Sequence, residues 1–313
     1  MASCFVSRRL PGSALERLRE QHEVELWEGR LPPRPGELRE RAARSEGLLT
    51  LLTDSVDGEL LAAAPGLRAI SNHAVGVDNV DVAAATERGV PVGNTPDVLT
   101  ESTADLTVGL MLAACRRIVE GHELVRRGEW ITWEPELLLG RDLNGATVGV
   151  IGLGRIGRAV ARRVEAFGAR VIHTGRSDGV PLEELLADSD FVTLHCPLTP
   201  DTEHLIDADA LRLMKATAYL VNTARGAIVD PAALTRALSE GWIAGAALDV
   251  TSPEPLPPRN PLADAPHLVL VPHIASATHR TREAMADIAV DNLLAALRGE
   301  PMPHCVNPEV YDH

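Results

Sequence analysis

Ala146-Thr-Val-Gly-Val-Ile-Gly-Leu-Gly-Arg-Ile-Gly157 is the stretch on which the fold turns. It predicts a short buried β-strand over 147–151, a glycine-rich turn, and a helix starting near Arg155. The glycines fall at 152, 154 and 157, the G-x-G-x-x-G spacing. Gly152 allows a tight turn, Gly154 lets a pyrophosphate approach the backbone, and Gly157 lets helix and strand pack closely. The N-terminus of the following helix offers unpaired N–H groups and partial positive charge to phosphates. The spacing alone is a weak signal. An apolar strand before it and helical periodicity over 159–167 after it turn the reading to dinucleotide binding.

Working outward, short apolar runs alternate with amphipathic ones along the whole chain. Strand candidates before this stretch lie at 3–7, 23–27, 47–52 and 67–71, with helical patterns near 12–21, 36–43 and 57–63. Later strand candidates lie at 169–174, 191–195, 218–222, 244–249 and 268–271. Such alternation implies parallel sheets covered by helices on both faces. The expected fold is α/β, with two doubly wound parallel-sheet (Rossmann-like) domains and a cleft between them. Two long helices, over 100–117 and about 278–298, fall where the halves meet. The expected division is 1–99 plus 281–313 as a substrate-binding (catalytic) domain, and 100–280 as a dinucleotide-binding domain.

With 313 residues the chain can bury two ordinary cores. No apolar run is both long and uncharged enough to span a bilayer, and the N-terminal order of apolar and basic residues is the reverse of a secretory signal. A formal net charge of −14 opposes binding to nucleic acid or anionic membranes, so an anionic substrate needs a local positive site. Cys4, Cys115, Cys196 and Cys305 form no C-x-x-C pair and read as small packing residues of a reducing, cytoplasmic protein. No metal site is expected.

The second strand of a dinucleotide fold normally ends in Asp or Glu, which accepts hydrogen bonds from the adenosine ribose. Here Gly175 stands at that position, followed by Arg176 and Ser177. A missing carboxylate removes repulsion against a 2′-phosphate, and an arginine can clamp it. NADP(H) is therefore the expected coenzyme. The alternative is that Arg176 is a solvated turn residue and Asp178 holds the ribose of NAD(H).

Ligands of open α/β sheets sit outside the carboxyl ends of strands. Arg225, Glu254 and His273 fall just beyond three such ends. Singly, each has an ordinary structural explanation as a loop charge or a capping residue. Together, beside a nicotinamide, they form a set able to reduce a 2-oxo acid. The arginine orients the carboxylate and polarises the carbonyl; the histidine gives its proton to the oxygen, and the glutamate keeps that proton in place.

At this point the sequence resembles the D-isomer-specific 2-hydroxyacid dehydrogenase family, over essentially its whole length. The matching tracts are Gly152-Leu-Gly-Arg-Ile-Gly157, Cys196-Pro-Leu-Thr-Pro-Asp-Thr202, Asn222-Thr-Ala-Arg-Gly226, Ala247-Leu-Asp-Val-Thr-Ser-Pro-Glu-Pro255 and Pro272-His-Ile-Ala-Ser276. Thr95-Pro-Asp-Val-Leu-Thr100, Trp130-Ile-Thr-Trp133 and Ser276-Ala-Thr-His-Arg-Thr-Arg282 are similar to the glyoxylate/hydroxypyruvate reductase branch in particular.

The resemblance implies that Arg225, Glu254 and His273 are the catalytic residues. It also implies that backbone N–H groups at Val75 and Gly76 hold the substrate carboxylate, with Ser276 and Trp133 near the substrate. In the branch, a tryptophan matching Trp133 reaches into the active site of a second subunit, so a homodimer is implied. Thr103, Arg155, Ile156, Pro197, Thr202, Thr223 and Asp249 are implied cofactor contacts, alongside Arg225 and His273. Asn72-His73, just before the carboxylate loop, departs from what the family pattern leads one to expect.

The expected activity is NADPH-preferring reduction of glyoxylate to glycolate and of hydroxypyruvate to D-glycerate. One alternative is another D-2-hydroxyacid dehydrogenase such as a D-3-phosphoglycerate dehydrogenase, which would want further cationic groups for a phosphate. A second is a non-catalytic, nucleotide-sensing protein like the corepressors related to this family.

Overall fold

The chain divides into two compact units, Met1–Leu99 with Ala277–His313, and Thr100–Ser276. The computed structural model describes residues 1–312 apart from 177.

In the first unit β1 (Ser3–Val6), α1 (Ala14–Gln21), β2 (Glu23–Leu26), α2 (Pro35–Ala42), β3 (Gly47–Thr50), α3 (Gly58–Ala63), β4 (Ala69–Asn72), α4 (Val82–Glu87) and β5 (Val92–Gly93) alternate. The strands pair in parallel in the order β2-β1-β3-β4-β5. Parallel neighbours need a crossover rather than a hairpin, which is why a helix follows each strand. Side chains alternate across the sheet. Cys4, Val6, Leu49 and Ala69 pack with Leu15 and Leu18 of α1. Phe5, Leu48, Ile70 and Val92 pack on the other face with Leu38 of α2 and Leu60 and Leu61 of α3.

Two elements here are not anticipated by periodicity. α4 is alanine-rich with one buried residue, Ala85, and its start is marked by Asp81, whose carboxylate accepts from Ala84 N–H at 2.9 Å. β5 is two residues long, too short to show an alternation.

The second unit opens with α5 (Thr100–Cys115) and α6 (Ile118–Arg126). It continues through β6 (Thr147–Ile151), α7 (Arg155–Ala166), β7 (Arg170–Thr174), α8 (Leu182–Asp188), β8 (Phe191–Leu194), α9 (Ala208–Leu213), β9 (Tyr219–Asn222), α10 (Pro231–Ser239), β10 (Gly245–Leu248) and β11 (Leu268–Leu270). Again every pair is parallel, in the order β11-β10-β9-β8-β6-β7. From β6 the chain goes outward to β7, then back past β6 to β8. That reversal leaves a crevice at the carboxyl ends of β6 and β8, where ligands of such sheets bind.

The strands are buried on both faces. Val148, Val150, Phe191, Val221 and Ala247 meet Ala104, Val108 and Met111 of α5 and Val160 and Val164 of α7. Ile151, Val192, Leu194, Leu220 and Leu248 meet Leu185 of α8, Leu211 of α9 and Leu234 of α10. Each fully buried Val or Leu contributes about 1.5–3 kcal/mol. The apolar character of α5 is thus accounted for by packing on this sheet. The helix expected over 100–117 stops at Cys115, because Arg117 takes φ 52, a left-handed conformation that costs a residue with a Cβ about 1–2 kcal/mol. α6 then restarts.

The chain ends in the first unit with α11 (His279–Leu297), capped by Thr278, whose hydroxyl accepts from Thr281 N–H at 3.1 Å. Its Ala286, Ala289, Val290 and Leu293 are fully buried on the face that also holds α1. Among the described residues no helix is long and apolar enough to cross a membrane.

Candidate active site

The loop after β6 is shaped by its glycines. Gly152 sits at φ +93 and donates its N–H to Thr174 O at 2.9 Å, and a Cβ on it would stand 2.7 Å from Cys196 N. The turn is therefore pressed against the exit of β8. A Cβ on Gly157 would lie 2.2 Å from Gly152 O, so the first turn of α7 rests on the loop itself. Gly154 differs, having open space where a Cβ would be. It is the N-cap of α7 and has no side chain to satisfy the N–H groups of the first turn. A cradle with room beside Gly154 and lined by helix N-terminal donors suits the pyrophosphate of a nicotinamide dinucleotide. Arg155 is exposed at the first helical position and Ile156 is half-buried against the core of the unit.

At the end of β7, Gly175 and Arg176 are exposed, and Ser177 lies outside the described residues. The space beside Gly175 holds a carboxylate after all: Asp178 Oδ1 lies 2.7 Å from the position a Cβ there would take. Asp178 Oδ2 is also 3.7 Å from His173 Nε2.

The remaining expected cofactor residues are mostly engaged with the protein. Thr202 donates its hydroxyl to Pro197 O at 2.7 Å and accepts from Thr199 N–H at 2.8 Å, closing the turn after β8. Thr107 Oγ1 donates to Thr103 O at 2.8 Å and contacts Thr223 Oγ1 at 2.9 Å, so Thr103 and Thr223 are tied together through α5. His195, at the end of β8, is half-buried with Nε2 2.9 Å from Thr193 Oγ1, and desolvation pushes its imidazole down to about 3.

Three successive strand ends carry the expected catalytic residues. After β9, Asn222 folds the chain back on itself. Its Oδ1 accepts from Ala224 N–H at 2.9 Å and its Nδ2 donates to Arg225 O at 2.8 Å. Gly226 follows, and a Cβ there would overlap Thr251 O at 2.0 Å, so only glycine lets the Arg225 loop pass the loop after β10. That second loop carries Glu254. His273 Nδ1 is hydrogen-bonded to Glu254 Oε1, and both side chains are about three-quarters buried, at 23% and 28% exposed.

Asp249 sets the backbone under His273. Its carboxylate accepts from Ile274 N–H at 2.6 Å and from Ala275 N–H at 2.9 Å, and His273 N–H donates to Asp249 O at 2.8 Å. Burial pushes the Asp249 carboxyl up, and the two backbone donors pull the other way. His273 itself sits at φ +54, uncommon for a non-glycine residue. The three bonds to Asp249 hold it there. This positioning duty has no signature in residue spacing, since it depends on β10 and β11 being neighbours. Ser276, three residues beyond His273, is half-buried.

In the first unit, Val75 and Gly76 follow β4 and are half-buried. The preceding His73 is buried, and burial, with the Arg282 charge beside it, pushes its imidazole down to about 4. The exception at Asn72-His73 thus has a structural content: Asn72 is fully buried in a hydrogen-bond network with Thr50, Gly76 and Asn79. Trp133 is 75% exposed on the second unit, in a segment that also exposes Ile118, Val125, Trp130, Ile131 and Leu139.

A glycine cradle at a sheet switch point, followed by a His–Glu pair at later strand ends, defines a nucleotide-dependent oxidoreductase. Residues 108–275 match the family model of the D-isomer specific 2-hydroxyacid dehydrogenase NAD binding domain. The chain is 49% identical to the glyoxylate reductase of Korarchaeum cryptofilum, with 98% of this chain and 96% of that protein covered. It is also similar to the crystal structure of the TT0316 protein from Thermus thermophilus, with 51% identity, TM-score 0.93, and 97% and 99% of the two chains covered. A further similar structure is the NADPH-dependent glyoxylate/hydroxypyruvate reductase of Sinorhizobium meliloti in complex with NADP and malonate. It is 35% identical with TM-score 0.86, covering 98% of this chain and 97% of that one.

The chain belongs to the D-isomer-specific 2-hydroxyacid dehydrogenase family. It is an NAD(P)-dependent oxidoreductase acting between 2-oxo and 2-hydroxy acids.

Proposed function

We propose that this enzyme reduces glyoxylate to glycolate and hydroxypyruvate to D-glycerate, with NADPH as the preferred coenzyme and His273 as the general acid. The observation that carries the reading is the His273–Glu254 hydrogen bond at the strand ends downstream of the glycine loop. With Nδ1 engaged by Glu254, Nε2 is the ring nitrogen that would deliver a proton to the carbonyl oxygen.

The Gly152–Gly157 loop would hold the pyrophosphate of a nicotinamide dinucleotide, which would supply the hydride. Arg225 is the residue that orients the substrate carboxylate and polarises the carbonyl, and the N–H groups of Val75 and Gly76 are donors to a substrate carboxylate. One hydride and one proton are added per carbonyl reduced. On this reading 100–280 is the dinucleotide-binding domain and 1–99 with 281–313 the substrate-binding one. Ser276 stands beside the substrate, and Thr103, Arg155, Ile156, Pro197, Thr202, Thr223 and Asp249 line the coenzyme. We place the enzyme in the cytoplasm as a homodimer, with Trp133 reaching toward a second subunit. The exposed apolar side chains between 118 and 139 support that assembly.

A second coenzyme reading has its own observation. Asp178 Oδ1 beside Gly175 puts a carboxylate near where the ribose-binding acid of NAD-dependent proteins stands. Initial rates with glyoxylate, hydroxypyruvate, pyruvate and 3-phosphohydroxypyruvate, each with NADPH and NADH, test both readings. The proposal expects the highest kcat/KM for one of the first two with NADPH, and Arg176→Ala to raise the KM for NADPH more than that for NADH. NADH preference that is lost in Asp178→Ala would establish the second reading. Coenzyme binding without turnover of any 2-oxo acid would overturn the assigned activity.

A further inference from the structure

The loop after β4 has an arrangement of carbonyls that goes beyond the carboxylate-binding reading and rests on it. Three consecutive carbonyl oxygens are each held by a donor from the first unit. Ala74 O accepts from Thr95 N–H at 2.9 Å, Val75 O from Asn94 Nδ2 at 2.8 Å, and Gly76 O from Asn72 Nδ2 at 3.0 Å. In a planar trans peptide the C=O of one residue and the N–H of the next point in opposite directions. Fixing the carbonyls of 74, 75 and 76 therefore fixes the N–H groups of 75, 76 and 77, each opposite its own carbonyl. None of these three N–H groups has an acceptor among the described residues. The result is a run of three oriented donors with no protein acceptor among the described residues, the kind of group that binds an anion.

The two asparagines are themselves built in. Asn72 is fully buried; its Oδ1 accepts from Thr50 Oγ1 at 3.1 Å, and its Nδ2 also reaches Asn79 Oδ1 at 3.0 Å. Asn79 in turn donates to Leu51 O at 3.0 Å and Asp54 O at 2.8 Å, tying the loop after β3 to the same network. Asn94 is gripped from α11, where buried Asn292 donates to Asn94 O at 2.9 Å. An Asn72 amide bonded through both its oxygen and its nitrogen, and an Asn94 whose backbone is pinned by Asn292, lose little entropy when they orient the loop.

We propose that Asn72 and Asn94 are positioning residues for the 2-oxo acid carboxylate. By holding Gly76 O and Val75 O, they aim the N–H groups of Val77 and Gly76 at the substrate, and Val77 is a third donor beside Val75 and Gly76. Neither asparagine touches the substrate itself.

The test is steady-state kinetics of the full-length enzyme with glyoxylate and NADPH, and competitive inhibition by oxalate, for Asn94→Ala and Asn72→Ser. Each variant should raise the glyoxylate KM and the oxalate inhibition constant in parallel, by about tenfold or more, from loss of the oriented donors. The NADPH KM should stay within about twofold and kcat within about threefold, since binding rather than the chemical step is affected. A merely structural role would instead lower kcat with the amount of folded enzyme and leave both constants unchanged, overturning the inference. Should buried Asn72→Ser fail to fold, half-buried Asn94→Ala decides the matter alone. Wild-type enzyme that turns over glyoxylate but is not competitively inhibited by oxalate would overturn the carboxylate reading of the loop and this inference with it. Wild-type inhibition with unaffected variants would overturn this inference only.

Discussion

Asp249 and His273 are locked together across the ends of two neighbouring strands. The His273 N–H donates to Asp249 O at 2.8 Å, and the Asp249 carboxylate takes the next two N–H groups, of Ile274 and Ala275. A buried carboxylate spent on two backbone donors fixes the loop that presents the imidazole to Glu254. Asp249→Asn keeps one acceptor but sets an amide NH2 against a backbone N–H. Loss of a charge-assisted bond of about 1.5–3 kcal/mol should lower kcat/KM by roughly ten- to a hundredfold. The check is kcat/KM for glyoxylate on protein whose circular dichroism is native; activity within a factor of about two of wild type would mean the lock is not needed.

The glycine loop allows a sharp contrast between two similar substitutions. Gly154 faces open space, so Gly154→Ala should leave thermal stability within about 0.5 kcal/mol of wild type while weakening NADPH binding. Gly157 faces Gly152 O at 2.2 Å, so Gly157→Ala should destabilise the fold by about 1–3 kcal/mol or more. Denaturant midpoints and NADPH fluorescence titrations of the two variants read this directly. Equal losses of stability in both would contradict the assignment of Gly154 to ligand approach.

Two desolvated histidines, buried His73 and half-buried His195, make stability depend on pH. His73 is pushed down to about 4 and His195 to about 3, both mainly by burial. The unfolded chain takes up these protons near pH 6.5, whereas the folded chain resists them until far lower. Their contribution is therefore complete above about pH 6.5 and is lost as pH falls toward 4 and then 3. The melting temperature should drop between pH 7 and pH 5, and the slope should flatten in His195→Gln. An identical slope in that variant would show that His195 is protonated in the native state.

Much of the fold is legible in the sequence because both sheets are parallel and buried on both faces. That makes strands such as Thr147–Ile151 and Phe191–Leu194 read as short, unbroken apolar runs. The misses have local causes. α4 buries little, β5 is two residues long, and α5 ends at a left-handed Arg117 that no periodicity foretells. At the candidate site, residue types at strand ends pointed to Arg225, Glu254 and His273. Spacing could not say that Gly226 must slide past Thr251, nor that Asp249 spends its carboxylate on the backbone beyond His273. Those relations depend on which strands are neighbours. The same holds for Asn72, which reads as an oddity until its amide is found on Gly76 O.

In the proposed mechanism His273, held by Glu254, delivers the proton during reduction of a 2-oxo acid. His273→Gln measured with glyoxylate and saturating NADPH tests it most directly, with the NADPH dissociation constant measured alongside. As general acid, His273 should on replacement cost kcat about a hundredfold to ten-thousandfold with coenzyme binding intact. Turnover near the wild-type rate would contradict it.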